Sequence, residues 1–483
     1  MSTTVEISTV VHIIAPAGHT LMAENQFAQR EKAGRYLAGL LAGLGVPGAS
    51  GIHWEKQAAG NNTLEMRING QTARLRHSTT NSTGARPADV MQALCEDLLR
   101  NRTHFASGAL ADFAAGKADA SFQRFQENDR LQIIQSLFAQ GFGLQRLQAF
   151  VPAADAALTP EAWAEACVGD LEATRFVMHA TAGQIDPDED PHDFNRLVES
   201  AGYFVDVAFK IKGVPIPKLR TEKRADFAAN EMAFQINDLI FPVFTIGDMT
   251  GENLRFVNFL TSNGAFFLNR GSVDFLLDSL ETANPNLLAL ARSRFSTDFI
   301  TAILRRLTAE NISIRPLVRI LEILVSGGQD VYRQHPGVSE APPLSEIIHL
   351  VAGDKRSEQL DLTDWSELVR VNLKNAIINR ALPHFEEGQT LSCFYLENTL
   401  FEKITRFDVL PPEEQAAIRN TLHRQMAENY LTPAGKIRPF ITAAAWRKKV
   451  CDLIAFEFPD TPVFSLQECL PRIVARYDKM IGG

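Results

Sequence analysis

The stretch AGYFVDVAFKIKGVPIPKLRTEKRADFAANEMAFQIND, residues 201–238, is a second version of AGRYLAGLLAGLGVPGASGIHWEKQAAGNNTLEMRING, residues 33–70. Gly45-Val46-Pro47 recurs as Gly213-Val214-Pro215, Asn62 as Asn230 and Ile68-Asn69 as Ile236-Asn237, all at an offset of 168. Ala33-Gly34 recurs as Ala201-Gly202 at the same offset. A second block follows at an offset of 170: Ile133, Ile134, Leu137, Phe142, Leu144, Leu147 and Phe150 answer to Ile303, Leu304, Leu307, Ile312, Ile314, Leu317 and Ile320. Two blocks in one order imply a duplicated module, an architecture that builds surfaces rather than a single catalytic pocket.

Within the first copy, Tyr36, Leu37, Leu40, Leu41 and Leu44 fall on one stripe of a helix over about 28–45, stopped by Gly45 and Pro47. Ile52-His53-Trp54 and Thr63–Ile68 read as strands, and Asn69-Gly70 as the hairpin turn into Thr72–Leu75. The second copy repeats the plan, with a helix over about 193–210, a strand over 232–236 and Asn237-Asp238 before Ile240–Ile246. Each copy runs on into helices, over about 88–150 and 270–326; Asn311-Ile312-Ser313 is read as a helix start with Pro316 in its first turn. The C-terminal portion alternates types: a helix over 363–380, strand Leu391–Leu396, helices 398–406 and 412–430, strand Ile437–Thr442, helix 443–457 and strand Pro462–Leu466. That alternation implies a small, largely parallel α/β domain. The fold class is therefore α+β and α/β multidomain. It divides into a first copy at 1–152, a helical connector with an acidic linker at 153–192, a second copy at 193–343 and the C-terminal part at 344–483.

The 483 residues are 45% apolar and 22% charged, an ordinary globular composition. A net charge of −9 argues against a general nucleic-acid or anionic-membrane binder. No run approaches the eighteen or so apolar residues of a membrane span. Cys95, Cys167, Cys393, Cys451 and Cys469 are scattered without a CxxC pair and read as reduced thiols of a cytoplasmic protein.

Motifs for catalysis or cofactors are weak throughout. The run Asp186-Pro187-Asp188-Glu189-Asp190-Pro191, with His192 and Asp193, lacks the Gly and distal Glu of a calcium loop and reads as a solvated linker. Gly116-Lys117 and Gly435-Lys436 lack the upstream Gly and following Ser or Thr of a phosphate loop. The eleven histidines contain no HExxH, and His349 sits in an apolar stretch as a packed residue. Cys451 reads as a small hydrophobe on a helix face. Arg438, Arg447, Lys448 and Lys449 form a basic cluster, read as a solvated helix face in preference to a docking site for an acidic partner. No catalytic, cofactor-binding or metal-binding residue is assigned, no cofactor is expected, and the chain is read as a non-enzyme.

The second half resembles the FHIPEP family, the large export-gate proteins of flagellar and virulence type III secretion systems. Four stretches carry the resemblance in order: IPKLR at 216–220 with NEMAFQIND at 230–238; AILRRLTAENISIRPLVRILEIL ending at Leu324; DWSELVRVNLKNAI at 364–377; and RPFITAAAWRKKVCDLIAFEFPDTPVFSLQE at 438–468. Together they span roughly 195–475.

The resemblance implies a soluble, non-catalytic platform that assembles as a homo-oligomeric ring. Its implied partners are proteins: secretion-apparatus components and chaperone–substrate complexes, with no nucleic acid and no membrane insertion by this chain. The implied location is the cytoplasm, docked at the inner membrane through those partners. The family's membrane half has no counterpart here, and the first module copy stands in its place. About 25 residues, roughly 246–270, occupy the position of the family's inserted subdomain, so no binding residue is carried across. Two alternatives stay open: a small-molecule-binding protein or enzyme with its site at the strand ends of the C-terminal α/β domain, and a cytosolic adaptor that kept the fold but lost secretion. A further expectation is that a fragment lacking residues 1–180 keeps a foldable core.

Overall fold

The computed structural model describes residues 9–16, 19–46, 49–57, 64–73, 75, 87–116, 126–148, 176–181, 191–215, 219–224, 227, 231–245, 257, 260–327, 360–382, 390–432, 435–469 and 473–482. The first copy opens with β1 (Thr9–Pro16), α1 (Phe27–Gly43), β2 (Ala49–Gln57), β3 (Glu65–Ile68) and β4 (Gln71–Ala73). Helices α2 (Pro87–Arg100), α3 (Arg102–Phe105), α4 (Ser107–Gly116), α5 (Glu127–Ala139) and α6 (Leu144–Gln148) complete it. The second copy has β5 (Phe176–Thr181), α7 (Pro191–Lys212), β6 (Leu219–Arg224), β7 (Glu231–Ile236), β8 (Leu239–Ile240) and β9 (Phe244–Thr245). Helices α8 (Arg270–Asp278), α9 (Pro285–Arg294), α10 (Thr297–Ala309) and α11 (Leu317–Ser326) follow. The C-terminal part contains α12 (Leu362–Asn372), α13 (Lys374–Ala381), β10 (Thr390–Leu396), α14 (Asn398–Thr405) and α15 (Pro412–Glu428). It ends with β11 (Phe440–Thr442), α16 (Ala444–Ile454), β12 (Val463–Ser465), α17 (Leu466–Cys469) and β13 (Val474–Ile481).

The two copies share one topology. Their sheets run β2-β1-β3-β4 and β6-β5-β7-β8, with β9 added on β7. In each, the first strand pairs in parallel with the second and antiparallel with the third. The helix ends match too. Gly45 and Gly213 adopt φ of +72° and +75°, a backbone that costs glycine little. One residue on, Val46 N–H donates to Leu41 O at 2.9 Å and Val214 N–H to Phe209 O at 3.2 Å, closing both helices with the same left-handed cap.

The helical parts superpose in sequence as well. Phe142 N–H donates to Leu137 O, as Ile312 N–H does to Leu307 O, and Leu144 N–H donates to Leu44 O, as Ile314 N–H does to Lys212 O. Helix, sheet and following helical pair are thus joined by the same bonds twice, which is the duplication read from the sequence.

Three expectations are corrected. Residues 176–181 of the supposed connector form β5, the strand flanked by β6 and β7 in the second sheet. The run Phe176-Val177-Met178-His179 is buried on both faces of that sheet, so it lacks the alternation of a half-buried strand. Removing residues 1–180 would therefore take out all but the last residue of β5, so that cut passes through the second sheet rather than between modules. Second, α11 starts at Leu317; Asn311 sits at φ +63° and residues 312–316 are outside any helix, with Ile314 N–H bonded to Lys212 O at 2.8 Å. Third, β13 adds a strand parallel to β10, absent from the sequence reading.

The chain splits into two compact units, Met1–Ser279 with Ser296–Arg315, and Leu280–Phe295 with Pro316–Gly483. Both sheets of the duplicated module lie in the first unit. Helices α9 and α11 of the second copy pack with each other and α11 packs on α12, which places them in the second unit rather than with the copy they follow in sequence. The second unit's sheet, β12-β11-β10-β13, is parallel at every pairing, as the alternation of strands and helices predicts. Its core gathers Phe394, Phe440, Leu422, Met426, Ile404 and Phe458. Among the described residues no helix is long and apolar enough to cross a membrane.

Candidate functional site

The basic cluster is the one candidate the sequence offered, and half of it is interior. Arg447 is 1% exposed and grips Glu367 on α12 with both carboxylate oxygens, Nε to Oε1 at 2.9 Å and to Oε2 at 2.7 Å. Arg438 is equally enclosed: Nε donates to Asn429 O at 3.1 Å, another nitrogen reaches Ser392 Oγ, and the guanidinium lies over the Phe394 ring. A second buried pair, Arg370 with Glu468 at 2.8 Å, stands nearby on α12 and α17. Lys448 and Lys449 stay at the surface, paired with Asp452 and Asp408. The expected solvated face is therefore corrected. Two of its four charges are bound inside, Arg447 against a carboxylate and Arg438 by a backbone carbonyl, a hydroxyl and an aromatic ring.

The end of β12 is also held by buried polar contacts. Chain leaving β12 enters α17 directly, where Glu468 accepts from Ser465 N–H at 2.6 Å and Glu468 N–H donates to Ser465 Oγ at 3.1 Å. This reciprocal cap and the Arg370 contact engage Glu468 at the end of that strand.

Cys95, Cys393 and Cys469 are buried and Cys451 is half-buried against the second unit's core. Burial pushes the Cys95 and Cys469 thiols up to about 12, against 9.0 for a free thiol, which removes thiolate at neutral pH. His179 is buried on β5 between Gln235 on β7 and Glu222 on β6. Among the described residues no group of three or more His, Cys, Asp or Glu is placed to hold a metal. Cys167, His349, Lys117 and Asp186–Asp190 lie outside the described residues, and Gly435-Lys436 lies in the turn between the bridged residues Leu431 and Ile437, with no helix following Lys436 directly.

What the sequence did not reveal is a seam between the copies in the first unit. The turn of the second hairpin is seated on the first copy: Asp238 N–H donates to Gly141 O at 3.2 Å, and its carboxylate takes Gly143 N–H at 3.0 Å and Arg146 at 3.2 Å. From α1, Tyr36 Oη donates to Ile240 O at 3.1 Å and Lys32 pairs with Glu231. Arg305 on α10 reaches Gln140 and also donates to Ala265 O and Leu268 O. Only the spacing of Gly141 and Gly143 hints at this contact, and glycines in a loop have many other causes.

No family model matches the chain, and no curated protein matches it. Among solved structures, it is similar to Shigella flexneri MxiA at 17% identity, with a TM-score of 0.47, covering 63% of this chain and 98% of that one. Likeness to Chlamydia pneumoniae CdsV, solved in complex with CdsO, is at 18% identity and TM-score 0.46, over 64% and 96% of the two chains. The nonameric cytosolic domain of EscV from the type III secretion system is similar at 18% identity and TM-score 0.45, over 64% and 97%. The structures to which this chain is similar are cytoplasmic domains of the type III secretion export-gate, or FHIPEP, proteins.

Proposed function

We propose that the chain is a soluble, non-catalytic platform of a type III protein secretion apparatus, flagellar or virulence-like, acting through self-assembly and protein binding. The observation that carries this reading is the ordered sequence resemblance over roughly 195–475. Its stretches fall on β6–β7, α10–α11, α12–α13 and β11–α16–β12. On this reading the partners are secretion-apparatus components and chaperone–substrate complexes, met in the cytoplasm beneath the inner membrane. Buried thiols and ion pairs committed to the core fit such a role, since they leave the described surface to contacts rather than chemistry. The test is genetic and biochemical. Deleting the gene in the source organism should abolish export of the secreted proteins, and the intact chain should restore it. Unchanged export, with no secretion component captured by the purified chain, would overturn the proposal.

A further inference from the structure

Both sheets of the duplicated module tie their parallel edge strand to the neighbouring strand through a histidine and a carboxylate. Register fixes the equivalence. Ile14 of β1 stands beside Glu55 of β2 and Glu65 of β3, and His179 of β5 stands beside Glu222 of β6 and Ala233 of β7. Because β3 and β7 correspond at the repeat offset of 168, Glu55 and Glu222 occupy one structural position. Each meets a histidine Nδ1 from the strand beside it: Glu55 that of His12, and Glu222 that of His179 at 3.5 Å. His12 answers in register to Val177, not to His179, so the same carboxylate is reached from two different positions.

In the second sheet the hydrogens can be assigned. Gln235 Nε2 donates to Asn237 O at 2.9 Å, and a carbonyl can only accept. The Gln235 amide oxygen is therefore the atom 3.0 Å from His179 Nε2, and that ring nitrogen carries a hydrogen. Nδ1 of the same ring is buried and has no hydrogen-bond partner among the described residues. In a neutral ring it presents a lone pair to the Glu222 carboxylate, which satisfies neither group. A proton on Nδ1 converts that approach into a charge-assisted hydrogen bond. The other charges on this face are Arg220 and Arg224, on either side of Glu222 along β6, and Glu231 on β7, paired with Lys32. Around His12 stand the His53 ring, stacked at 5.2 Å, and Arg67 on β3, which pairs with Glu65.

We propose that these contacts are proton-operated latches, in which a proton taken up at the histidine Nδ1 fastens the edge strand to its neighbour. Histidine is the side chain that changes charge between about pH 5 and 8. The latched state binds the proton and the open state does not use it, so the latch tightens as pH falls through that range and loosens as pH rises. The stronger latch is the second: the His179 side chain is 4% exposed and that of His12 34%, so solvent screens the second pair less. In the first, charge on His53 and Arg67 beside His12 works against the gain. The inference concerns the duplicated sheets and does not rest on the platform reading.

Hydrogen exchange of the intact chain, corrected for the intrinsic pH dependence of exchange, reads the latch at β6. Between about pH 8 and pH 5.5, protection of β6 relative to β10–β13 should rise by about threefold, the scale of a partly exposed ion pair. Glu222→Gln keeps size and polarity at an exposed position and should remove that rise. His179→Gln, whose amide can still donate to Gln235, should remove it as well. Nitrogen-15 NMR of the imidazole should show hydrogen on Nε2 alone at the upper end of the range and on both nitrogens at the lower end. An Nδ1 whose protonation does not change across the range overturns the inference. So does β6 protection that is independent of pH in the wild type, or that rises equally in Glu222→Gln.

Discussion

Arg447 and Glu367 show how little the type of a residue says about its place. In sequence, Arg447-Lys448-Lys449 is one basic run; in the structure its first member is held inside by a carboxylate 80 positions away. Sequence periodicity finds apolar faces, but a buried guanidinium depends on a distant partner that no local pattern marks. Replacing Arg447 by Met should cost about 3–5 kcal/mol in chemical denaturation, the penalty for stranding a buried carboxylate. The double variant Arg447→Met with Glu367→Met should recover most of that loss; equal destabilisation by single and double variants would refute the pairing argument. Thiols make a second residue-scale prediction. Cys95 and Cys469 titrate near 9.0 when unfolded and at about 12 when folded, and burial raises the Tyr36 phenol well above its ordinary value too. Each group holds its proton more tightly in the folded state, so this stabilisation is complete below pH 9 and lost as pH rises toward 12. Melting temperatures measured across that window should fall, with a shallower slope in Cys95→Ala.

At the scale of elements, the sequence was legible where a period or a turn residue spoke. The α1 stripe buries Ala33, Leu37, Leu40, Leu41 and Leu44, and Asn69-Gly70 turns with φ of +51° and +82°. β5 and β13 escaped for opposite reasons. The first is apolar on both faces and short, so periodicity cannot tell it from a helix fragment. The second, VARYDKMI, mixes charges into its alternation and, among the described residues, pairs with the distant β10 alone. Glycines give the sharpest element-scale test. A Cβ at Gly213 would meet the Arg315 backbone nitrogen at 2.6 Å, on top of the strained φ of +75°. At Gly45 the nearest atom is 3.6 Å away. Gly45→Ala should cost about 1 kcal/mol from backbone strain alone, and Gly213→Ala distinctly more. Gly34, inside α1 with open space around it, predicts the reverse: Gly34→Ala should stabilise by about 0.5–1 kcal/mol in thermal or denaturant melts.

At the scale of the molecule, each compact unit has its own source of cohesion. The first is held across its duplicated halves by polar contacts on one hairpin turn, the second by a parallel sheet with ion pairs among its helices. Asp238→Ala removes the acceptor of Gly143 N–H and of Arg146, and should cost about 1–3 kcal/mol by leaving donors unpaired. Hydrogen exchange should then speed up at Gly143 and along β7–β8, with protection in β10–β13 unchanged; uniform acceleration in both units would contradict the assignment. The general plan of the second unit was readable from strands alternating with helices. The seam was not, because nothing in a repeat says whether its copies touch or merely follow one another.

Gly43, where a Cβ would lie 3.1 Å from the Asp238 carbonyl oxygen, bears on the history of the chain. A doubled segment starts with two identical halves, yet head-to-tail stacking gives those halves different duties at once. One helix end must stay slender to admit a turn, while its twin faces outward and is released from that demand. Divergence between the halves should therefore be concentrated at positions such as 43 and 211, or 70 and 238, as a mechanical consequence of stacking. The shared helix caps, where both halves do the same job, are where the ancestral sequence has survived.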